Sequence, residues 1–199
     1  VKQLPVLVVL GLLYGISADA LFLGYDYLSA GIASTLLFVY PLIVAIIMAV
    51  FFKERITIST ILAIIFVLAG VILLSFKDGK FELNPLGLGI VFVSALGYGL
   101  YIVTVNKSKV RDIKGFTLSF YSFLFTTIYY AIKMIIHKES FILPSLELTF
   151  NFFTFAFVTT VISSIALIFA IKNIGSTATS ILGASEPVVA VAVSVLIFV

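Results

Sequence analysis

The sequence predicts an all-α integral membrane bundle of seven membrane-spanning helices. Its residues are 62% hydrophobic and 11% charged, with a mean hydropathy of +1.30. Soluble domains are about 45–50% apolar and about 25% charged. Seven apolar runs, at 4–25, 30–52, 57–76, 85–105, 116–136, 148–171 and 174–199, are long enough to cross a bilayer, which takes about 20 residues as a helix. The links between them are short and polar, so the chain forms one bundle with no room for a soluble domain.

Taken in order, the first run follows Lys2 and ends in "YDY" at 25–27. An alternative reading is a signal peptide cleaved after "ADA" at 18–20. The second run opens on the small residues "SAGIAS" and carries Pro41 at mid-length, where a helix break is expected as at Pro187; the third follows the charged turn "KER" and ends "GVILL". The fourth opens on Pro85 after the link "KDGKFELN". Its Gly87, Gly89, Ala95, Gly97 and Gly99 suit close helix packing. The fifth ends at the single histidine, His137; the sixth is rich in phenylalanine; the seventh contains Glu186-Pro187.

Orientation follows from Lys and Arg, which are enriched in cytoplasmic loops. Of the 12 present, Lys2, Lys53, Arg55, Lys107, Lys109, Arg111, Lys114 and Lys172 fall at one set of alternate ends. Lys77, Lys80, Lys133 and Lys138 fall at the other. The first set is expected in the cytoplasm. The basic stretch 107–114 reads as a cytoplasmic loop rather than a nucleic-acid patch. Without cysteine and with one histidine, the sequence offers no disulfide, no thiolate and no multi-histidine metal site, and it implies no cofactor.

An internal repeat appears at an offset of 146 residues. Ile16, Ser17, Ala20, Leu21, Ser34, Leu36 and Pro41 meet identical residues at Ile162, Ser163, Ala166, Leu167, Ser180, Leu182 and Pro187. The copies lie five spans apart, so equivalent helices cross in opposite directions, as in secondary transporters built from inverted repeats. Two five-helix repeats would need two helices before Val1 and one after Val199. The expected whole is therefore a ten-helix, 5+5 fold.

"ALFLGYDYLSAGIASTLLFVYPLIVAIIMAVFFKERITISTILAIIFVLAGVILL" resembles the signature of the EamA family of the drug/metabolite transporter superfamily, with its Glu-containing turn at Glu54. "GLGIVFVSALGYGLYIVTVNKSKV" resembles the opening helix of that family's second repeat, and "ILGASEPVVAVAVSVLIFV" its fourth. The resemblance implies that 1–84 holds helices 3–5 of the first repeat and 85–199 helices 6–9 of the second. It further implies a carrier of the cytoplasmic membrane that moves small metabolites, often outward, by alternating access.

Glu186 is the foremost site candidate. Pro187 removes a backbone N–H and clashes with the carbonyl four residues back, at Gly183. The helix is expected to break there. Thr179, Gly183 and Glu186 share a small, polar face that suits a cavity lining. A carboxylate at mid-membrane costs on the order of 3 kcal/mol even on mild scales, so it faces the interior. The alternative is a buried acid capping the break. Tyr40, at the equivalent repeat position before Pro41, could line the same cavity or serve as packing. Tyr98 and Tyr101 could line it from the fourth span. Asp19 could stand at its outer mouth, or reach the headgroups.

Other classes were open. A seven-helix receptor or retinal protein fits the span count but not the repeat. An intramembrane protease needs a Ser–His or paired-Asp site, which is absent, so no enzyme is expected. A non-transporting membrane scaffold remains the alternative to a carrier.

Overall fold

The computed structural model describes residues 3–58, 60–62, 65–66, 69, 76–77, 80–81, 84–138, 145–183 and 185–186. Among these the regular structure is helical apart from one two-residue antiparallel pair, Phe76–Lys77 with Lys80–Phe81. The helices are α1 (Leu4–Gly24), α2 (Ala30–Leu37), α3 (Tyr40–Phe52), α4 (Pro85–Lys107), α5 (Gly115–His137), α6 (Leu146–Ala156), α7 (Ser163–Ile174) and α8 (Ser176–Gly183). A π-helical turn, Phe157–Ile162, joins α6 to α7.

Five stretches among the described residues are long and apolar enough to span a membrane: Leu4–Gly24, Ala30–Phe52, Pro85–Lys107, Gly115–His137 and Leu146–Ile174. They match five of the seven expected spans. The expected third span lies mostly outside the described residues. Its start is visible, with Thr57 Oγ accepting from the Thr60 amide at 3.3 Å in the manner of an N-cap. The expected seventh is described only through α8 and Ser185–Glu186.

Two spans depart from a continuous α-helix. The second breaks between α2 and α3. Pro41, in the first turn of α3, has no N–H to donate. Phe38 and Val39 instead bond tightly to the carbonyls of Thr35 and Leu36, at 3.1 and 3.0 Å. In the Leu146–Ile174 span the π turn interrupts the helix, and no residue of α6 is buried.

Packing centres on α1, which lies along both α4 and α5; α3 packs on α4 and α8. Inside lipid there is little hydrophobic force between helices, so close approach and polar contacts decide association. At the α1–α4 crossing, Ser17 Oγ donates to the Ser94 carbonyl (2.9 Å) and Ser94 Oγ to the Ser17 carbonyl (2.6 Å). Gly97 permits this, since a Cβ there would stand 3.3 Å from the Leu13 carbonyl oxygen and from Ser17 Cβ. At the α1–α5 crossing a Cβ on Gly11 would collide with Phe125, and Thr126 Oγ donates to the Gly11 carbonyl at 2.9 Å. Of the small residues expected to pack in α4, Gly87, Ala95, Gly97 and Gly99 are buried. Gly89 is exposed with nothing near it, so it has no packing role among the described residues.

In the protein reconstituted in lipid bicelles, Ser17→Ala and Ser94→Ala are expected to couple by about 0.6 kcal/mol, and by no more than about 1.7. A double-mutant cycle on unfolding checks this; zero coupling would mean the two hydroxyls do not share a contact. Gly11→Leu is expected to cost about 1–3 kcal/mol by overpacking in the same assay.

Candidate functional site

The break in the second span opens a site beside it. Leu37, Phe38 and Tyr40 at the α2–α3 junction, Ser34 of α2, Tyr14, Ser17, Ala18 and Leu21 of α1, Tyr98 of α4 and Glu186 line a cavity of about 350 Å³. That volume lies at the small end of the range for small-molecule pockets, about 300–1,000 Å³. Tyr14 stands at the middle of α1, and Ser17, Ala18 and Leu21 lie toward its Gly24 end. The cavity thus occupies the half of the bundle away from the basic loop at 107–114.

Interlocked rings bound it on the basic side. Tyr98 meets Tyr40 edge to face, with centroids 4.8 Å apart and planes at 85°. It lies parallel to Tyr101 at 6.4 Å. Tyr101 meets Tyr14 at 5.7 Å, and Tyr14 meets Phe123 of α5 at 5.6 Å. Edge-to-face and offset geometries are the favoured ones for such pairs.

Glu186 is the one charged side chain among the lining residues. The Ser17 hydroxyl is committed to Ser94, and that of Ser34 lies 3.3 Å from Tyr25 Oη. Gly183 abuts the Tyr40 hydroxyl so closely that any Cβ would strike it. Only glycine lets α8 come this near to α3.

Below the rings, polar contacts tie the basic ends of the helices together. Asn106 Nδ2 donates to Ser176 Oγ at 3.0 Å in a buried contact joining α4 to α8. Arg111 donates to the Lys172 carbonyl at 3.3 Å, the Lys172 ammonium to the Ile113 carbonyl, and Gln3 to the Lys109 carbonyl at 2.9 Å.

The structure therefore brings together Glu186, Tyr40, Tyr98 and Gly183. Tyr101 is buried behind Tyr98 and does not line the cavity. Thr179 is buried with its hydroxyl on the Gly175 carbonyl, 2.7 Å away, and is also outside the lining. Asp19 is elsewhere: it pairs with Lys133 of α5 and accepts from Tyr129 Oη at 3.0 Å, on the opposite side of α1. Successive helical residues are about 100° apart, so Asp19 and Ser17 face different neighbours. Pro41 is buried at the start of α3; Pro187 lies outside the described residues. Tyr14, Ser17, Leu21 and Ser34 line the cavity without having been expected there. Three of them, Ser17, Leu21 and Ser34, are identical across the 146-residue offset, and that identity was the available signal.

The described residues hold no cluster of three or more His, Asp or Glu side chains suited to a metal. The described residues form a multi-pass helical bundle with a cavity of small-molecule size lined by one acid and three tyrosines. The profile of the EamA-like transporter family matches residues 1–76 and 85–198, and the chain belongs to that family. An uncharacterized transporter from Archaeoglobus fulgidus is 34% identical over 120 residues, which is 59% of this chain and 42% of that protein. The chain thus spans less than half the length of this curated relative. Family membership sets aside the receptor reading.

Gly183→Ala is expected to destabilise the protein by about 1–3 kcal/mol through overpacking against Tyr40. Adding Tyr40→Phe, which removes the struck oxygen, is expected to recover most of the loss. Thermal unfolding of the single and double variants checks both; a neutral Gly183→Ala would mean that α8 and α3 are not in this contact.

Proposed function

We propose that this chain forms the substrate pathway of a carrier in the cytoplasmic membrane, which moves small molecules outward by alternating access and has no enzymatic step. The observation that carries the proposal is the cavity between α1, α2, α3 and α4: an exposed Glu186 and three tyrosines line a space large enough for a small molecule. An acid within a membrane-spanning segment is expensive to keep, and such acids mark substrate and ion pathways.

In this reading residues 1–84 are the remainder of one repeat and 85–199 most of an inverted second. The offset of 146 carries α2 (Ala30–Leu37) onto α8 (Ser176–Gly183) end for end, which supports it. So does the division of the family match between 76 and 85. With the basic ends in the cytoplasm, the ring layer and the Asn106–Ser176 contact close the inner side while the cavity lies on the outer side. Alternating access then requires that contact to open during each cycle.

Asn106→Cys with Ser176→Cys, on an otherwise cysteine-free background of the gene's full product, tests this in proteoliposomes. Oxidation is expected to stop uptake of the molecules found in a mixed-metabolite screen, and reduction to restore it. Unchanged flux through the cross-linked protein would remove alternating access at this contact.

A further inference from the structure

We propose that the cavity selects an organic cation, an amine or quaternary ammonium carrying an apolar group, over anions and zwitterions of the same size. The inference rests on the carrier reading and names the substrate class for that site. Three features of the lining converge on it. Its one formal charge is the Glu186 carboxylate, and no Lys or Arg lies among the lining residues. Tyr14, Tyr40 and Tyr98 supply aromatic rings to the same space. The two serine hydroxyls of the wall are already occupied, since Ser17 donates to the Ser94 carbonyl and Ser34 lies against Tyr25, which leaves the tyrosines and Glu186 to meet a ligand.

An anion entering this space would meet a like charge and, among the described residues, no cationic donor to repay its lost hydration. A zwitterion would satisfy its ammonium and leave its carboxylate unpaired. A cation pairs with Glu186 and with the negative faces of the rings. Quaternary ammonium groups, which donate no hydrogen bond, depend on ring faces and a nearby carboxylate for recognition. Arg111 and Lys172 lie beyond the ring layer at the basic ends of the helices and donate to backbone carbonyls.

Binding of three probes that share a phenyl group separates the classes: benzyltrimethylammonium, phenylalanine and 3-phenylpropionate. The full gene product in nanodiscs is expected to bind benzyltrimethylammonium saturably and in preference to the other two. Glu186→Gln is expected to weaken it at least about tenfold, because the cation loses its charge partner. Tyr98→Leu is expected to weaken it about two- to thirty-fold, whereas Tyr98→Phe keeps the ring and the affinity. The Phe variant guards against misfolding at position 98, and gel filtration with circular dichroism guards the Gln variant. Preference for phenylalanine or 3-phenylpropionate, no saturable cation binding, or full cation affinity in folded Glu186→Gln would each overturn the cation assignment. None of these touches the carrier reading, which stands or falls on the reversible block by the 106–176 disulfide.

Discussion

The crossing of α1 over α4 is the contact on which the rest of this bundle depends. Lipid tails are as apolar as leucine, so burying leucine between two helices gains little that the bilayer does not already offer. What lipid cannot supply is a hydrogen-bond partner or an atom-tight fit to a backbone. Ser17 and Ser94 exchange both bonds, and Gly97 lets the backbones come close enough for them to do so. Because α1 is fixed there, its next face presents Gly11 and Gly15 to α5, and the residues beside Ser17 are left to line the cavity. The same polar pair thus sets the depth of the pocket and the position of the helix behind it.

Five of the seven expected spans were legible because twenty-residue apolar runs have one physical solution in a membrane, and the short links leave little freedom in placing their ends. The α2–α3 break was legible too, as Pro41 removes a donor that no neighbour can replace. The π turn at Phe157–Ile162 was not, because it depends on which carbonyl each amide selects, and composition carries no trace of that choice. Asp19 shows a different limit. Its partner Lys133 is 114 residues away on a helix whose rotation only packing decides. Counting Lys133 among the loop charges assigned it to the right end and missed its role.

The site was partly readable for a related reason. Glu186 stands out because a carboxylate in an apolar run violates the local pattern. Tyr40 and Tyr98 follow from the repeat and from a small-residue helix. Tyr14 is one aromatic residue among many, and nothing along the chain marks it as a cavity wall. Only the convergence of α1, α2, α3 and α4 selects it over the phenylalanines that face outward.

The π turn constrains how this protein can change over evolutionary time. A π turn holds one residue more than the α-helical turn it replaces. Deleting a single residue from Phe157–Ile162 would let the segment relax to a plain α-helical turn and leave the following helix in register, whereas deleting Ser163 just past it would turn the rest of α7 by about 100° relative to α6. Ser164, Ile168 and Ile171, the buried face of α7, would then leave their neighbours. The exposed α6 side, having no buried residue to protect, could absorb insertions and substitutions freely. Lineages of this protein should therefore vary in sequence along α6 while keeping a fixed residue count between the π turn and Gly175.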